Sequence, residues 1–383
     1  MSCEKIFAEI DALAEEYLSV WVDACNIESP TDCKAGVDAV GEYFTNRAAA
    51  RGWQVDVCRQ TVSGDCVCIT MNPDAPGAPV SLSGHMDTVH PVGSFGTPAV
   101  RVEGDKIYGP GVLDCKGGIV AAFLAMDALC RCGFDKRPVH LLLQSDEENS
   151  SINSGKETVR FMAEKSRGCV AFLNCEGAKK GSLTVGRKGI IRYEFSVMGK
   201  AAHSSNCYDG VSAICEAALK ILELEKWKDR EGITCNCGVI SGGTVANTVP
   251  ESCVFQADIR YKTLDQLSEV ENKARAVAET SFLEGTTCEL RVKSQRLAME
   301  KTEANLALLD KINAIYARNG FPTVAMAERP GGSDAADMTA YGLPTVDSMG
   351  VSGKNIHTVN EYAEIPSLTE AAKRLAAIVH DIE

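Results

Sequence analysis

Positive charge is scarce in this chain: 39 Lys and Arg stand against 52 Asp and Glu, a formal net charge of −13. The basic residues are dispersed, so a phosphate backbone would be repelled and no nucleic-acid partner is expected. Long hydrophobic runs are missing too, the longest reaching about half of the ~20 residues that a bilayer crossing needs. The first residues are rich in acids and lack the apolar stretch of a signal peptide, which points to a cytoplasmic protein with no membrane partner. There is no Gly-x-Ser-x-Gly, no His-Glu-x-x-His and no Gly-x-x-x-x-Gly-Lys. Those absences remove the serine-hydrolase elbow, the single-zinc protease helix and the P-loop. Cysteine is plentiful, at 17 residues, yet no Cys-x-x-Cys occurs. An odd count cannot pair fully within one chain, so reduced and mostly buried thiols are expected. Three Cys-x-Cys pairs, Cys66/Cys68, Cys130/Cys132 and Cys235/Cys237, fit small buried hydrophobes as well as ligands.

What is present is a soluble globular composition, 45% apolar over 383 residues. Single cores stop growing near ~250–300 residues, so two domains are expected. Apolar periodicity predicts helices over 4–24, Lys34–Gly52 and Ile119–Leu129, with strands at Val80–Ser83, Val139–Gln144 and Cys169–Asn174. Alternating strands and helices predict an α/β domain with a mixed, largely parallel central sheet. From about Arg187 to Ser294 the order becomes β-α-β-β-α-β, that of a ferredoxin-like α+β module. Helices return at Asn305–Asn319 and Ser367–Ile382, the latter opened by a capping-box pattern, Ser367-Leu-Thr-Glu370. The module therefore reads as inserted, residues 187–294, into a discontinuous domain made of 1–186 and 295–383.

Three of the predicted strands end in chemistry-bearing residues. Val80–Ser83 runs into His85-Met-Asp87, Val139–Gln144 into Asp146-Glu147-Glu148, and Cys169–Asn174 into Cys175-Glu176. In open α/β sheets the ligand crevice lies beyond the carboxyl ends of the strands. Alone, each piece has an ordinary explanation. His85-x-Asp87 fits a satisfied strand end, Asp114 fits a helix N-cap, and an Asp-Glu-Glu run fits an acidic surface turn. His357, in a polar loop, fits a surface histidine. Together, His85, His357, Asp114, Glu148 and Glu176, with Glu147 to spare, supply what two divalent cations need. Two imidazoles favour zinc over magnesium, which prefers oxygen alone.

The segments Ser83-Gly-His-Met-Asp-Thr88, Arg101 through Gly118 and Ser145-Asp-Glu-Glu148 resemble the dinuclear-zinc peptidase and aminoacylase family. That family includes acetylornithine deacetylase and succinyl-diaminopimelate desuccinylase. With Gly331-Gly-Ser-Asp334 and the His357 loop, the chain is similar in particular to bacterial glutamate carboxypeptidases of the carboxypeptidase G type. The resemblance implies two Zn²⁺ per subunit, for which Co²⁺ or Mn²⁺ can substitute. It implies that Asp114 bridges them, with His85 and Glu176 completing one site and Glu148 and His357 the other. Asp87 would then orient His85, and Glu147 would be the general base. It also implies a homodimer formed through the inserted module, which acts as a dimerisation or lid domain. There, His203 of Gly199-Lys-Ala-Ala-His203 would stabilise the oxyanion in the partner's site, and Asn247 and Arg260 would bind substrate. Arg296 is a further candidate for an acidic substrate side chain. Cys115, Cys175-Glu176-Gly177 and Asn149-Ser150 depart from the family's usual residues. The expected substrate is a small peptide or N-acyl amino acid, cleaved at its amide, most simply as a carboxypeptidase releasing glutamate. An N-acyl amino-acid deacylase or dipeptidase is the alternative within the family, and a non-catalytic metal- or amino-acid-binding protein the alternative outside it.

Overall fold

The computed structural model describes residues 2–230 and 232–383. The chain begins with helices α1 (Cys3–Ala12), α2 (Ala14–Asn26) and α3 (Lys34–Ala49). Strands β1 (Gln54–Cys58), β2 (Cys66–Met71), β3 (Val80–His85), β4 (Arg101–Glu103) and β5 (Lys106–Tyr108) follow. Next come α4 (Lys116–Arg131), β6 (Val139–Gln144), α5 (Glu157–Lys165), β7 (Ala171–Asn174) and β8 (Ser182–Arg187). The middle of the chain forms β9 (Gly189–Met198), α6 (Ala213–Leu224), β10 (Thr234–Gly242), β11 (Ser252–Tyr261), α7 (Leu264–Glu279) and β12 (Thr287–Arg296). The last part contains α8 (Glu303–Arg318), β13 (Ala325–Arg329), α9 (Asp334–Ala340), β14 (Thr345–Asp347), β15 (Gly353–Lys354), β16 (Tyr362–Glu364) and α10 (Pro366–Asp381).

Two compact units result: one holds the chain up to Val185 with Lys301–Glu328 and Ser333–Glu383, the other Gly186–Glu300 with Arg329–Gly332. The first contains an eight-stranded sheet in the order β1-β2-β6-β3-β7-β14-β8-β13. Its centre, β6-β3-β7-β14, is parallel, and β1, β2 and β8 join antiparallel. Every residue of β2 and β3 is buried, as befits strands covered on both faces, whose side chains need not alternate. Helix α4 is buried from Lys116 to Leu129 and packs on α1, α2, α10 and β3, which explains its apolar character on all sides. A small sheet, β15-β16-β5-β4, pairs two distant stretches of chain.

The second unit is a four-stranded antiparallel sheet, β10-β11-β9-β12, with α6 and α7 packed against it. This is the ferredoxin-like order. Burial alternates along β9 and β11, since only one sheet face meets the helices. Phe195 and Phe255, directly opposed in register, stack at 4.6 Å in its core.

Two local expectations fail. The helix expected over 4–24 is divided at Leu13 (φ −88°, ψ −5°), although Leu13 N still donates to Glu9 O. No Gly or Pro marks that break; each half buries its own apolar face, Ile6 and Ile10 in one, Tyr17 and Trp21 in the other. The capping box is absent as well, because α10 starts earlier, with Pro366 in its first turn. Ser367 instead donates to Glu364 O and accepts from Ser352 N.

Candidate metal centre

The parallel alignment of β3, β6 and β7 brings their carboxyl ends to one rim, where the His85, Glu147–Glu148 and Glu176 segments converge. His85 is buried (1% exposed), with Nε2 3.0 Å from Asp114 Oδ1 and 3.6 Å from Glu176 Oε1. Its Nδ1 lies 2.9 Å from the main-chain oxygen of Asp87 and 3.4 Å from Asp87 Oδ1. With Nδ1–H held by these acceptors, Nε2 is the atom turned to the acids, donating to Asp114 when protonated and offering its lone pair to a cation when not. The Asp87 carboxylate itself accepts from the main-chain N–H groups of Glu147 and Glu148, each at 3.1 Å, and from Thr31 Oγ1 at 2.8 Å.

Asp114 does not cap α4: the residue at that helix start is Cys115, and no side chain caps it. Asp114 turns Oδ1 to His85 and Oδ2 to His357 Nε2, at 3.0 and 3.2 Å. His357 Nε2 is also 3.3 Å from Glu148 Oε2, and His357 sits in a loop at φ +62°. The ligand atoms of His85, Asp114 and Glu148 all lie within 4.8 Å of one another. Two glycines make room for the Glu176 segment. A Cβ on Gly118 would stand 1.8 Å from Cys175 O, and one on Gly350 would stand 2.2 Å from it.

The electrostatics explain why such a group needs cations. Two like charges about 4–5 Å apart repel by about 3–4 kcal/mol at an effective dielectric near 20. Burial, with Asp114 and Glu147 nearby, pushes the Glu148 carboxyl up to about 7 despite its contact with His357. Burial and Asp114 likewise raise Glu176 well above the carboxylate range. Burial opposes ionisation of Asp114, but hydrogen bonds with His357 and His85 hold its carboxyl below the ordinary value. His357 is raised to about 10 by its contacts with Asp114 and Glu148. Imidazolium here is a poor substitute for a metal, and this mixed N/O donor set suits divalent cations.

The other expected site residues, His203, Asn247 and Arg260, belong to the second unit. His203 starts the short 3₁₀ turn Ser204–Asp209, and its Nδ1 accepts from Ser205 N at 3.3 Å. The main-chain oxygen of exposed Asn247 accepts from Ser204 N at 2.9 Å, which ties the two loops together. Arg260 pairs with Asp258, Nε to Oδ1 at 2.6 Å, and donates to Pro330 O at 3.3 Å. Arg187 donates to Gly331 O at 3.1 Å, and Arg296 packs so tightly on Gly332 that a Cβ there would meet its Cδ at 2.0 Å. Three arginines thus surround Pro330–Gly332.

Several contributors escape sequence reasoning. Ser83, Asn174, Asp347 and Ser333 form a buried chain: Ser83 donates to Asn174, and Asn174 and Ser333 donate to Asp347. It ties Ser333, just before α9, to strands β3, β7 and β14. Glu361, four residues past His357, is buried against the Asp114 loop. A remote Cys3–His380–Asp381 group also has ligand-type atoms close together. There, however, His380 and Asp381 already pair at 2.6 Å, Asn319 binds Asp381, and the cations Lys136 and Arg318 stand nearby.

The chain is similar to known proteins along most of its length. The chain is 28% identical over 366 residues to carboxypeptidase G2 of Pseudomonas sp., covering 93% of this chain and 87% of that protein. It is 27% identical to a succinyl-diaminopimelate desuccinylase of Sulfurimonas denitrificans, covering 78% and 84%. Among solved structures, the fold matches a Staphylococcus aureus tripeptidase at a TM-score of 0.81 with 22% identity, covering 96% and 98%. It matches a dinuclear metal-binding peptidase of Bacillus subtilis at 0.70 with 17% identity, covering 97% and 100%. No helix among the described residues is long and apolar enough to cross a membrane. The model of peptidase family M20/M25/M40 matches residues 81–381, spanning both units and every proposed ligand, and the chain belongs to that family of amide-cleaving metallohydrolases.

Proposed function

We propose that the protein is a zinc-dependent carboxypeptidase that releases a C-terminal amino acid, glutamate foremost, from a small peptide or N-acyl substrate. The observation carrying this reading is Asp114, whose two oxygens face two different histidines with one further acid beside each. Asp114 would be shared by two cations, His85 and Glu176 completing one site and Glu148 and His357 the other. When bound, such a pair acts as a Lewis acid on the scissile carbonyl and acidifies water for attack at neutral pH.

The chain's own groups do the rest. Glu147, its main chain pinned by Asp87, takes the proton of the attacking water and delivers it to the leaving nitrogen. Asp87 holds His85 through Nδ1 and so sets the direction of Nε2. His203 donates to the developing oxyanion of the partner subunit in a homodimer joined through residues 187–294. Asn247 orients the substrate, and Arg260 grips its terminal carboxylate in a forked contact. Arg187 and Arg296 around Pro330–Gly332 add positive charge that suits an acidic side chain and favours glutamate.

A Zn²⁺-loaded panel of N-acyl amino acids and dipeptides tests the reading. Release of C-terminal glutamate ahead of acetylornithine hydrolysis supports it. Equal turnover of acetylornithine with no glutamate release contradicts it and favours a deacylase.

A further inference from the structure

The two loops that carry Asp114 and His357 come from opposite ends of the larger unit, yet one side chain joins them. The small sheet sets them side by side: β5 leads into the Gly109–Asp114 loop, β16 follows the His357 loop, and Tyr108 pairs with Tyr362. Glu361, the residue just before β16, is 1% exposed. Its Oε1 accepts from Leu113 N at 2.9 Å and from Asp114 N at 3.0 Å. Its Oε2 accepts from Gly111 N at 3.4 Å and lies 3.0 Å from His90 Nε2. Three N–H groups of one loop, from Gly111, Leu113 and Asp114, form a concave anion cradle around a carboxylate supplied by the chain itself. Glu361 also donates its own N–H to Thr358 O at 3.0 Å, closing the turn that directly follows His357, itself at positive φ.

Position follows from these contacts. The cradle fixes the main chain at Asp114 and therefore where its two oxygens point. The turn fixes His357 relative to Glu361. The 3.2 Å spacing between Asp114 Oδ2 and His357 Nε2 is thus set through one residue that itself faces neither. His90, against Phe95 at 4.9 Å, braces the second Glu361 oxygen.

We propose that Glu361 is a positioning residue for the Asp114–Glu148–His357 half of the centre, with His90 as its brace. Its carboxylate sets the affinity of that half for a divalent cation and leaves the His85–Glu176 half largely untouched. This inference rests on the metal reading given above. Partners behind the ligands of metal sites typically change affinity by about 10–100-fold when removed.

The test is a two-site Zn²⁺ titration against a competing chelator, on wild type, Glu361→Gln and His90→Gln, with circular dichroism to verify folding. Glu361→Gln keeps the shape but puts an amide NH₂ against N–H donors. It should weaken one of two sites by about 10–100-fold, and His90→Gln should weaken the same site less. Turnover by Glu361→Gln should recover in excess Zn²⁺ with an unchanged KM, which a merely structural defect would not show. Wild-type affinities at both sites of Glu361→Gln, or equal loss at both, overturn the inference while leaving the metal reading intact. Wild type that binds no cation overturns both. If Glu361→Gln does not fold, unchanged affinity in His90→Gln overturns the inference.

Discussion

The Asp87 carboxylate accepts the main-chain N–H of Glu147 at 3.1 Å, so the residue that orients His85 also places the proposed base. Asp87 thus ties His85 to the main chain of Glu147 and Glu148, while the Glu147 side chain is not one of the proposed ligands. Glu147→Gln should cost about 10²–10⁴-fold in kcat, the usual range for a general base, with metal content by mass spectrometry unchanged. Loss of metal in that variant would make Glu147 a ligand instead.

Asp87→Asn attacks the same relationship from the other side. An amide cannot accept two main-chain N–H groups and the Thr31 hydroxyl as a carboxylate does. Both activity and affinity at the His85 site should fall by about 10–100-fold, read by kinetics and chelator competition. Wild-type behaviour would show that the main-chain oxygen of Asp87 alone orients His85.

Cation removal should destabilise the larger unit, because its buried acids then repel without compensation. At metal concentrations 100-fold above Kd, binding adds about 2.7 kcal/mol. A chelator should therefore lower Tm reversibly, and the shift should vanish in Asp114→Ala. An identical shift in that variant would place the stabilising metal elsewhere.

His140 supplies a pH prediction independent of the metal centre. It stands on β6 beside Thr70, and burial, helped by Lys165 and opposed by Asp56, lowers its imidazole from 6.5 to about 4. Below pH 6.5 the unfolded chain takes up this proton first, so stability is lost as pH falls from 6.5 towards 4 and the loss levels off beneath that. The window is worth about 3 kcal/mol at most. Urea unfolding of His140→Gln across this range should show a correspondingly shallower decline; an equal decline contradicts the assignment.

The acid-tipped strands and the inserted four-stranded module were legible because each rests on local pattern: an apolar run, a period, a terminal acid. The break at Leu13 was not, since no residue there disfavours helix and packing alone divides the two faces. The Ser367 pattern misled because Pro366 starts α10 earlier and the hydroxyl has nearer partners in Glu364 and Ser352. Glu361 was hidden by distance: its partner Asp114 is 247 residues away, and only the pairing of β5 with β16 brings them together. Its place four residues after His357 was the one available sign.

The most direct test of the account is product analysis of the Zn²⁺-loaded enzyme with an N-acyl-glutamate and matched N-acyl amino acids, beside Arg260→Met. The account predicts free glutamate as the favoured product, and a KM raised at least tenfold by Arg260→Met as a forked carboxylate contact is lost. Hydrolysis with no preference for a C-terminal glutamate, or a KM unmoved by Arg260→Met, would contradict it.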